Sequence, residues 1–276
     1  MEANRRAAMG PLVRNFAVSV AVIALVEKVS MTLLLPPLVP TLEVAFAAMG
    51  RLPASVALIN VAVGAGFWGV GTLFMIPQFL GSSTWKIQEK RRLDLAMLRQ
   101  HMPLIVFNFF LGTFLPPVLF HALLPESAYD LRALPGLWEL LWNCTVWLVV
   151  QEIMFFYTHR WMHVDKRLYA AIHKVHHAYT SPVSYTAIYC HPIENLVSNI
   201  PPLIVGPIIC GSHVLAIAVF LFLAVVHVTS VHSGYWVCDD NGMHDEHHRR
   251  FDTNYGVNGI MDLLYGTYSL PPSASA

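Results

Sequence analysis

Residues 195–238 read NLVSNIPPLIVGPIICGSHVLAIAVFLFLAVVHVTSVHSGYWVC, a stretch without a single Asp, Glu, Lys or Arg. A membrane-spanning helix needs about 20 apolar residues, so this stretch is too long for one crossing. Gly206-Pro207 and Gly211-Ser212 offer a break near its middle. The sequence therefore predicts a hairpin of two short or re-entrant membrane helices.

The rest of the chain is equally apolar. Hydrophobic residues make up 55% of it and charged residues 12%, a balance that indicates a membrane protein. Further crossings are predicted at 54–80, 103–124 and 137–157, whereas residues 12–40 either cross the membrane or lie at its surface. We expect an all-α integral membrane protein with four or more transmembrane or re-entrant helices, in which residues 1–54 are a membrane-anchoring segment.

Charge and cysteine content exclude two classes of function. The formal net charge is +0, so nothing indicates a nucleic-acid partner. The four cysteines lack paired spacing, so neither a disulfide framework nor a Cys-x-x-Cys site is expected; they are Cys144, Cys190, Cys210 and Cys238.

Histidine patterns flank the uncharged stretch. In chain order they are box 1 (His159–His163, HRWMH), box 2 (His173–His177, HKVHH) and box 3 (His244–His248, HDEHH). Positions i, i+3 and i+4 share one face of a helix, so boxes 2 and 3 are each expected to present three imidazoles to one point. Imidazole is the commonest side-chain metal ligand at neutral pH. The pattern therefore predicts a metal site.

The three boxes are predicted to lie on one side of the membrane. The loop 81–102 is rich in Lys and Arg, which the positive-inside rule places in the cytosol. Counting the predicted crossings from that loop brings every box to the cytosolic end of a membrane helix. We therefore expect a cytosolic helical cap that contains the boxes.

The number of imidazoles indicates two metals. The boxes hold more histidines than one tetrahedral zinc can bind, and they suit two ions with four or more imidazoles each. Such a nitrogen-rich site is compatible with iron and oxygen chemistry, although imidazole also suits zinc and copper. The ligand set alone therefore leaves the metal open.

The histidines outside the boxes differ in their expected roles. His232 lies where the hairpin surfaces and is weighed as a ligand against a structural residue. His191 is weighed as a ligand against a residue that supports one. His227 is expected to pack within the membrane, and no chemistry is assigned to His101, His121 or His213.

Carboxylates near the boxes are candidates for holding the imidazoles in place. A metal-bound imidazole usually donates its other N–H to such a group. Glu152 lies two helical turns before His159, and we expect it to orient that ring. Glu194 and Asp245 are the further candidates for the same role.

In these residues the chain resembles the fatty acid hydroxylase superfamily, in its sterol desaturase and methylsterol oxidase branch. The resemblance covers about residues 55–270. It rests on the boxes and on further segments in the same order: Trp85–Gln88, Phe156–Arg160, His191–Glu194, Val205–Pro207, His232–Tyr235 and Tyr265–Thr267. The chain departs from the pattern at Trp236, where several relatives have a histidine, and in a connection over 236–243 that looks shortened.

The resemblance implies a membrane domain over 55–276 and an endoplasmic-reticulum location with the boxes facing the cytosol. It implies two iron ions, with zinc possible in isolated protein, and O2-dependent oxidation of a lipid C–H bond. The implied electron donor is cytochrome b5 with its NADH-dependent reductase. The implied ligands are His159, His163, His173, His176, His177, His191, His232, His244, His247 and His248.

Three functions remain open at this point. Oxidation of a 4-methylsterol in sterol biosynthesis is favoured. Hydroxylation or desaturation of a fatty acyl or sphingoid chain would use the same metal centre, so the boxes do not separate the two. The third function is a catalytically silent membrane protein that binds metal for structure or regulation.

Overall fold

The computed structural model describes residues 2–236 and 241–272, and side chains from residue 8 onward. The described chain is helical and contains no β-strand, only one isolated bridge between Lys86 and Tyr235. The helices are α1 (Glu2–Val29), α2 (Val39–Met49), α3 (Arg51–Gly64), α4 (Gly71–Phe79), α5 (Leu95–Leu123), α6 (Leu137–Val164), α7 (Lys166–Ala171), α8 (Pro192–Glu194), α9 (Ile200–Ile209), α10 (Val214–Val231), α11 (Met243–Arg250) and α12 (Ile260–Tyr265).

Five helical stretches are long and apolar enough to cross a membrane. This confirms the prediction of an all-α membrane protein with at least four such helices. A π-helical segment, Ala65–Val70, joins α3 and α4 into one of the five, and residues 12–40 contribute another. The stretches are Ala8–Leu34, Arg51–Phe79, Leu95–Leu123, Leu137–Val164 and Val214–Val231.

The uncharged stretch forms the predicted hairpin. Its arms are α9 and α10, and the chain reverses at Cys210–His213, where Gly211 has a φ of +59°. Only glycine adopts this left-handed conformation without strain. Gly206 lies inside α9 instead of at the break, because it packs against α6: a Cβ there would lie 2.8 Å from the Cα of Trp147.

The acidic residue in the first apolar stretch faces the protein interior. Glu27 is fully buried between α1 and α6, and the Cys144 thiol donates to its Oε2 over 3.5 Å. A charge turned toward lipid would be strongly unfavourable. The burial of Glu27 therefore explains how α1 combines an acidic residue with spanning length.

The loop after α4 runs along the segment that follows α10. The N–H of Ile87 donates to the carbonyl of Gly234 over 3.0 Å, and the N–H of Trp236 donates to that of Trp85 over 2.9 Å. The Gln88 side chain also donates to Asp245 in box 3 over 2.8 Å. The Lys- and Arg-rich loop thus lies on the same side of the molecule as box 3. Residues 237–240, the middle of the connection that looked shortened, lie outside the described residues.

Candidate metal centre

Box histidines and His232 form two buried clusters. Within each cluster one nitrogen of every ring lies within 4.8 Å of the others. The first cluster consists of His159, His163, His173, His177 and His247, and the second of His176, His232, His244 and His248.

Boxes 2 and 3 each serve both clusters, so the expectation that a box points to one place is wrong. Box 2 lies on a 3-10 helix, His173–Ala178, and box 3 lies on α11. Consecutive residues diverge by about 100° on an α-helix and about 120° on a 3-10 helix. His176 and His177 therefore point to different clusters, as do His247 and His248.

Boxes 2 and 3 each contribute one histidine to the cluster that contains the other box's remaining pair. His176 of box 2 joins the box 3 pair, and its ring centroid lies 4.7 Å from that of His248. His247 of box 3 joins the box 2 pair, with its ring centroid 4.9 Å from that of His177. Each cluster is consequently built from segments on both sides of the hairpin.

The ring nitrogens converge at ligand spacing. In the first cluster the Nε2 atoms of His163, His173 and His177 lie 2.8 to 3.1 Å apart. In the second, Nε2 of His244 lies 2.9 Å from His232 and 3.1 Å from His248. About 3 Å is the separation of neighbouring ligands on a metal with bonds of about 2.1 Å. Unprotonated nitrogens would repel at this distance, and a cation between them removes the repulsion.

Backbone carbonyls fix the tautomer of most of these rings. A carbonyl oxygen only accepts, so Nδ1 carries the proton and the Nε2 lone pair faces the cluster. This is the arrangement that metal-bound histidines usually have. The pairs are His159 with Tyr255 at 2.9 Å, His176 with Tyr189 at 3.1 Å, His232 with Val228 at 2.7 Å, His247 with Thr253 at 2.6 Å and His248 with Tyr179 at 2.9 Å.

Burial keeps the imidazoles neutral. It lowers the pKa of His176 to about 4 and the pKa values of His232 and His247 to about 3. Nε2 of His247 is buried and has no hydrogen-bond partner within the described part of the chain. A metal ligand must be unprotonated, so an unpaired buried lone pair fits a bound cation.

Glu194 contacts a box histidine, whereas Glu152 does not. The Glu194 Oε1 lies 2.9 Å from Nδ1 of His173, and both side chains are buried. The Glu152 carboxylate lies on the backbone N–H groups of residues 257, 258 and 261 and not on the His159 ring, whose Nδ1 donates to the Tyr255 carbonyl. Oδ1 of Asp245 accepts a hydrogen bond from the Gln88 side chain.

Two histidines lie in places that the sequence did not predict. Among the described residues His191 belongs to neither cluster, and its Nδ1 accepts the N–H of Ile193 at the start of α8. His101, to which no chemistry was assigned, stacks on the Tyr189 ring at 4.1 Å and lies 3.0 Å from the Tyr179 hydroxyl. His101 therefore braces two residues whose carbonyls hold His176 and His248.

Known proteins share this histidine-bearing region. The model of the fatty acid hydroxylase family matches residues 144–267, a range that contains every histidine of both clusters. This chain carries a fatty acid hydroxylase domain. No solved structure matches it.

Relatives named as hydroxylases or monooxygenases are similar to this chain. Fatty acid hydroxylase domain-containing protein 2 of Homo sapiens is 33% identical over 73% of this chain and 63% of that protein. A fatty acid hydroxylase of Mycosarcoma maydis is 27% identical over 71% of this chain and 53% of its own length. Methylsterol monooxygenase 2-2 of Arabidopsis thaliana is 29% identical over 67% of this chain and 74% of its own. The chain thus spans less than two thirds of the human relative.

A cavity extends from the membrane helices to the histidine clusters. Its volume is about 1360 Å³, including its open mouth. One end is lined by histidines of both clusters, and the walls come mainly from α3, α5, α6, α9 and α10. Of the aromatic residues at 107–114, Phe109 lines the cavity, while Phe107, Phe110 and Phe114 are exposed on the lipid side. Representative lining residues are Val63, Phe109, Phe155, Leu203, Leu221 and Val231.

Proposed function

We propose that this protein is a membrane-bound, O2-dependent oxygenase that oxidises a C–H bond of a lipid, with a sterol methyl group as the favoured target. The observation that carries the proposal is the cavity, because its apolar walls lie among membrane helices and one end is lined by the histidine clusters. A bilayer-dissolved lipid can enter such a cavity without crossing water. The fatty acid hydroxylase domain and its methylsterol monooxygenase relatives support the same reading.

Two iron ions are proposed as the cofactor, one for each cluster. When bound, they would supply the activation of O2 and the removal of hydrogen from an unactivated carbon. The first cluster offers five imidazoles and the second four. The proposed ligands are these clustered histidines; His191 is left out because it belongs to neither described cluster and its Nδ1 accepts an N–H, which leaves the ring proton on Nε2.

The chain's own residues supply orientation and a dry environment. Carbonyls and Glu194 hold the imidazoles in the tautomer that offers Nε2. Phe67, Phe109 and Phe155 line the cavity and exclude water from the reacting carbon. The substrate is thereby positioned by shape, with its oxidisable carbon at the histidine end.

We further propose an endoplasmic-reticulum membrane location with the histidine cap on the cytosolic side. The cytosolic side rests on the basic loop, which packs beside box 3 and which the positive-inside rule assigns to the cytosol. The endoplasmic-reticulum location rests on the resemblance to the fatty acid hydroxylase superfamily. Cytochrome b5 and its NADH-dependent reductase are the proposed electron donors, since oxygenation of an unactivated carbon consumes two electrons for each O2.

A second candidate is oxidation of a fatty acyl or sphingoid chain. The Mycosarcoma maydis relative, a fatty acid hydroxylase, supports it. The apolar lining of the cavity suits a ring system as well as an acyl chain, so the lining alone does not separate the two substrates. Purified protein assayed with NADH, reductase and cytochrome b5 on 4-methylsterols and on acyl lipids separates the two.

The enzyme proposal is tested by metal analysis of the same preparation, combined with lipid profiling of cells that lack the protein. We expect iron in the purified protein, O2 consumption that depends on NADH, and accumulation of methylated sterols in the cells. Stoichiometric zinc alone, with no O2 consumption on any lipid, would contradict the enzyme and favour the catalytically silent metal-binding protein.

A further inference from the structure

The loop after α11 contributes two carbonyls that hold histidines. The carbonyl of Thr253 accepts from Nδ1 of His247 over 2.6 Å, and that of Tyr255 accepts from Nδ1 of His159 over 2.9 Å. Both histidines belong to the first cluster. The conformation of this loop therefore determines the direction of two rings in one cluster.

Two buried carboxylates hold the loop by its backbone. Glu152 of α6 accepts the N–H groups of Val257 at 2.8 Å, Asn258 at 2.7 Å and Met261 at 3.0 Å. Asp262 accepts those of Tyr255 and Gly256, both at 2.7 Å. Only 4% of Glu152 and 0% of Asp262 is exposed, so these charge-assisted bonds are shielded from water.

Gly256 lies directly against both carboxylates. A Cβ at this position would lie 2.8 Å from Oε1 of Glu152 and 3.0 Å from Oδ2 of Asp262. Contacts this short leave no room for a side chain unless a carboxylate moves. The loop is therefore fitted to the two acids, and the fit depends on a glycine.

Three histidines of the second cluster are held by carbonyls outside this loop. The Nδ1 atoms of His176, His232 and His248 donate to carbonyls of Tyr189, Val228 and Tyr179, all elsewhere in the chain. Tyr189 is held from the membrane side, because Nδ2 of Asn108 donates to the carbonyls of both its neighbours, over 2.9 Å at Ile188 and 2.8 Å at Cys190. These three rings thus depend on carbonyls other than the two that hold His159 and His247.

We propose that Glu152 and Asp262 are positioning residues for the first cluster, acting through the backbone of residues 253–261. The proposal rests on the proposed metal function of the clusters. A carboxylate suits the role because it only accepts hydrogen bonds, and five N–H donors converge on these two groups. An amide would turn its own N–H toward some of those donors.

The test compares Glu152→Gln and Asp262→Asn with the wild type as full-length protein in detergent, loaded anaerobically with ferrous iron. The wild type is expected to hold two ions per chain and each variant about one, since losing a group that supports a ligand weakens metal affinity about 10–100-fold. Gly256→Ala should act in the same direction from the loop side. Asn108→Leu is the matched variant, and it should lower iron binding at the second cluster instead of the first.

Double variants identify which ion is lost. Glu152→Gln added to His247→Ala should remove no further iron, because both changes act on the first cluster. Added to His176→Ala it should leave the chain without iron, because the two changes then act on different clusters. If Glu152→Gln removes the same amount of iron from His247→Ala as from His176→Ala, the loss reflects general misfolding and the proposal is overturned.

Hydrogen exchange of the metal-free protein gives a readout that needs no metal. The amides of residues 255–261 should exchange faster in Glu152→Gln than in the wild type, while amides near Tyr189 stay unchanged. A wild type with two ions and a Glu152→Gln variant that also keeps two would overturn this proposal alone. A wild type that binds no iron would count against the proposed function, and the exchange rates would still report on the anchor.

Discussion

His176 and His247 are exchanged between the clusters: each occupies the fourth position of its own box, and each lies with the other box's pair. Because of this exchange, the two ions are predicted to be separable by mutation. His176→Ala should release the ion of the second cluster and His247→Ala that of the first, each lowering iron content by about half. Metal analysis of purified variants measures this. Complete loss of iron in both would show that the clusters bind as one unit.

The control for that experiment has to be chosen from the structure. His101 looked like a neutral position from the sequence, but it contacts Tyr179 and Tyr189 beside the second cluster. We now expect His101→Ala to lower iron content. His121 is the better control, since its contact is with Arg51 at the opposite end of α5, and His121→Ala should retain both ions.

Glu194 is predicted to strengthen metal binding at the first cluster through His173. Glu194→Gln replaces the carboxylate that lies 2.9 Å from Nδ1 of His173, and the affinity should fall about 10–100-fold. Competition with a chelator measures it. Glu139→Gln, an exposed change in the first turn of α6, is the matched control and should leave the affinity unaltered. An unchanged affinity in Glu194→Gln would rule out this role.

Acid is predicted to destabilise the metal-free protein. The pKa of His176 is about 4 and those of His232 and His247 about 3 when folded, against about 6.5 when unfolded. Below about pH 6.5 the unfolded chain therefore binds protons that the folded chain excludes. Each group should lower the free energy of unfolding by up to about 1.4 kcal/mol per pH unit between about 6.5 and 4.

Thermal unfolding in detergent at a series of pH values tests this dependence. The midpoint should be steady above about pH 7 and fall as the pH drops below about 6.5. His247→Gln should show a shallower fall, because one buried imidazole is gone. A midpoint that does not change between about pH 6.5 and 4.5 would mean that these rings are solvated in the folded protein.

Filling the cavity is predicted to block bulky substrates without loss of metal. Gly112 lines the cavity, and a Cβ there would meet nothing within 4 Å. Gly112→Leu should therefore fold normally, keep its iron and lose most turnover on 4-methylsterols. Gly69→Leu introduces the same side chain at another open glycine, one that does not line the cavity. Equal turnover by both variants would exclude this cavity as the substrate site.

The membrane architecture could be predicted because composition and length determine it. Uncharged stretches of about 20 residues have few alternatives to spanning helices, and the hairpin at Cys210–His213 follows from a run too long for one crossing. The same holds for the gathering of the histidines, which the spacing within the boxes and the expected side of the membrane predicted.

The assignment of each histidine to one cluster or the other, and the groups that orient the rings, could not be predicted. Treating positions i, i+3 and i+4 as one face of a helix hid the angle of about 100° between adjacent residues, which separates His176 from His177 and His247 from His248. The carbonyls of Tyr179, Tyr189, Thr253 and Tyr255 gave no signal, because every residue has one and only tertiary structure selects those four. The spacing of Glu152 from His159 made it a candidate, but its hydrogen-bond partners lie about a hundred residues further along the chain.

The exchange of His176 and His247 also bears on how the protein is made. A nascent chain that ends before box 3 lacks His247 of the first cluster. It also lacks His244 and His248 of the second cluster, so both clusters are incomplete. The hairpin of α9 and α10 must first enter the bilayer and return before the two halves of each cluster meet. Iron uptake should therefore come last in biogenesis, and bound iron would mark a chain whose synthesis and membrane insertion are finished.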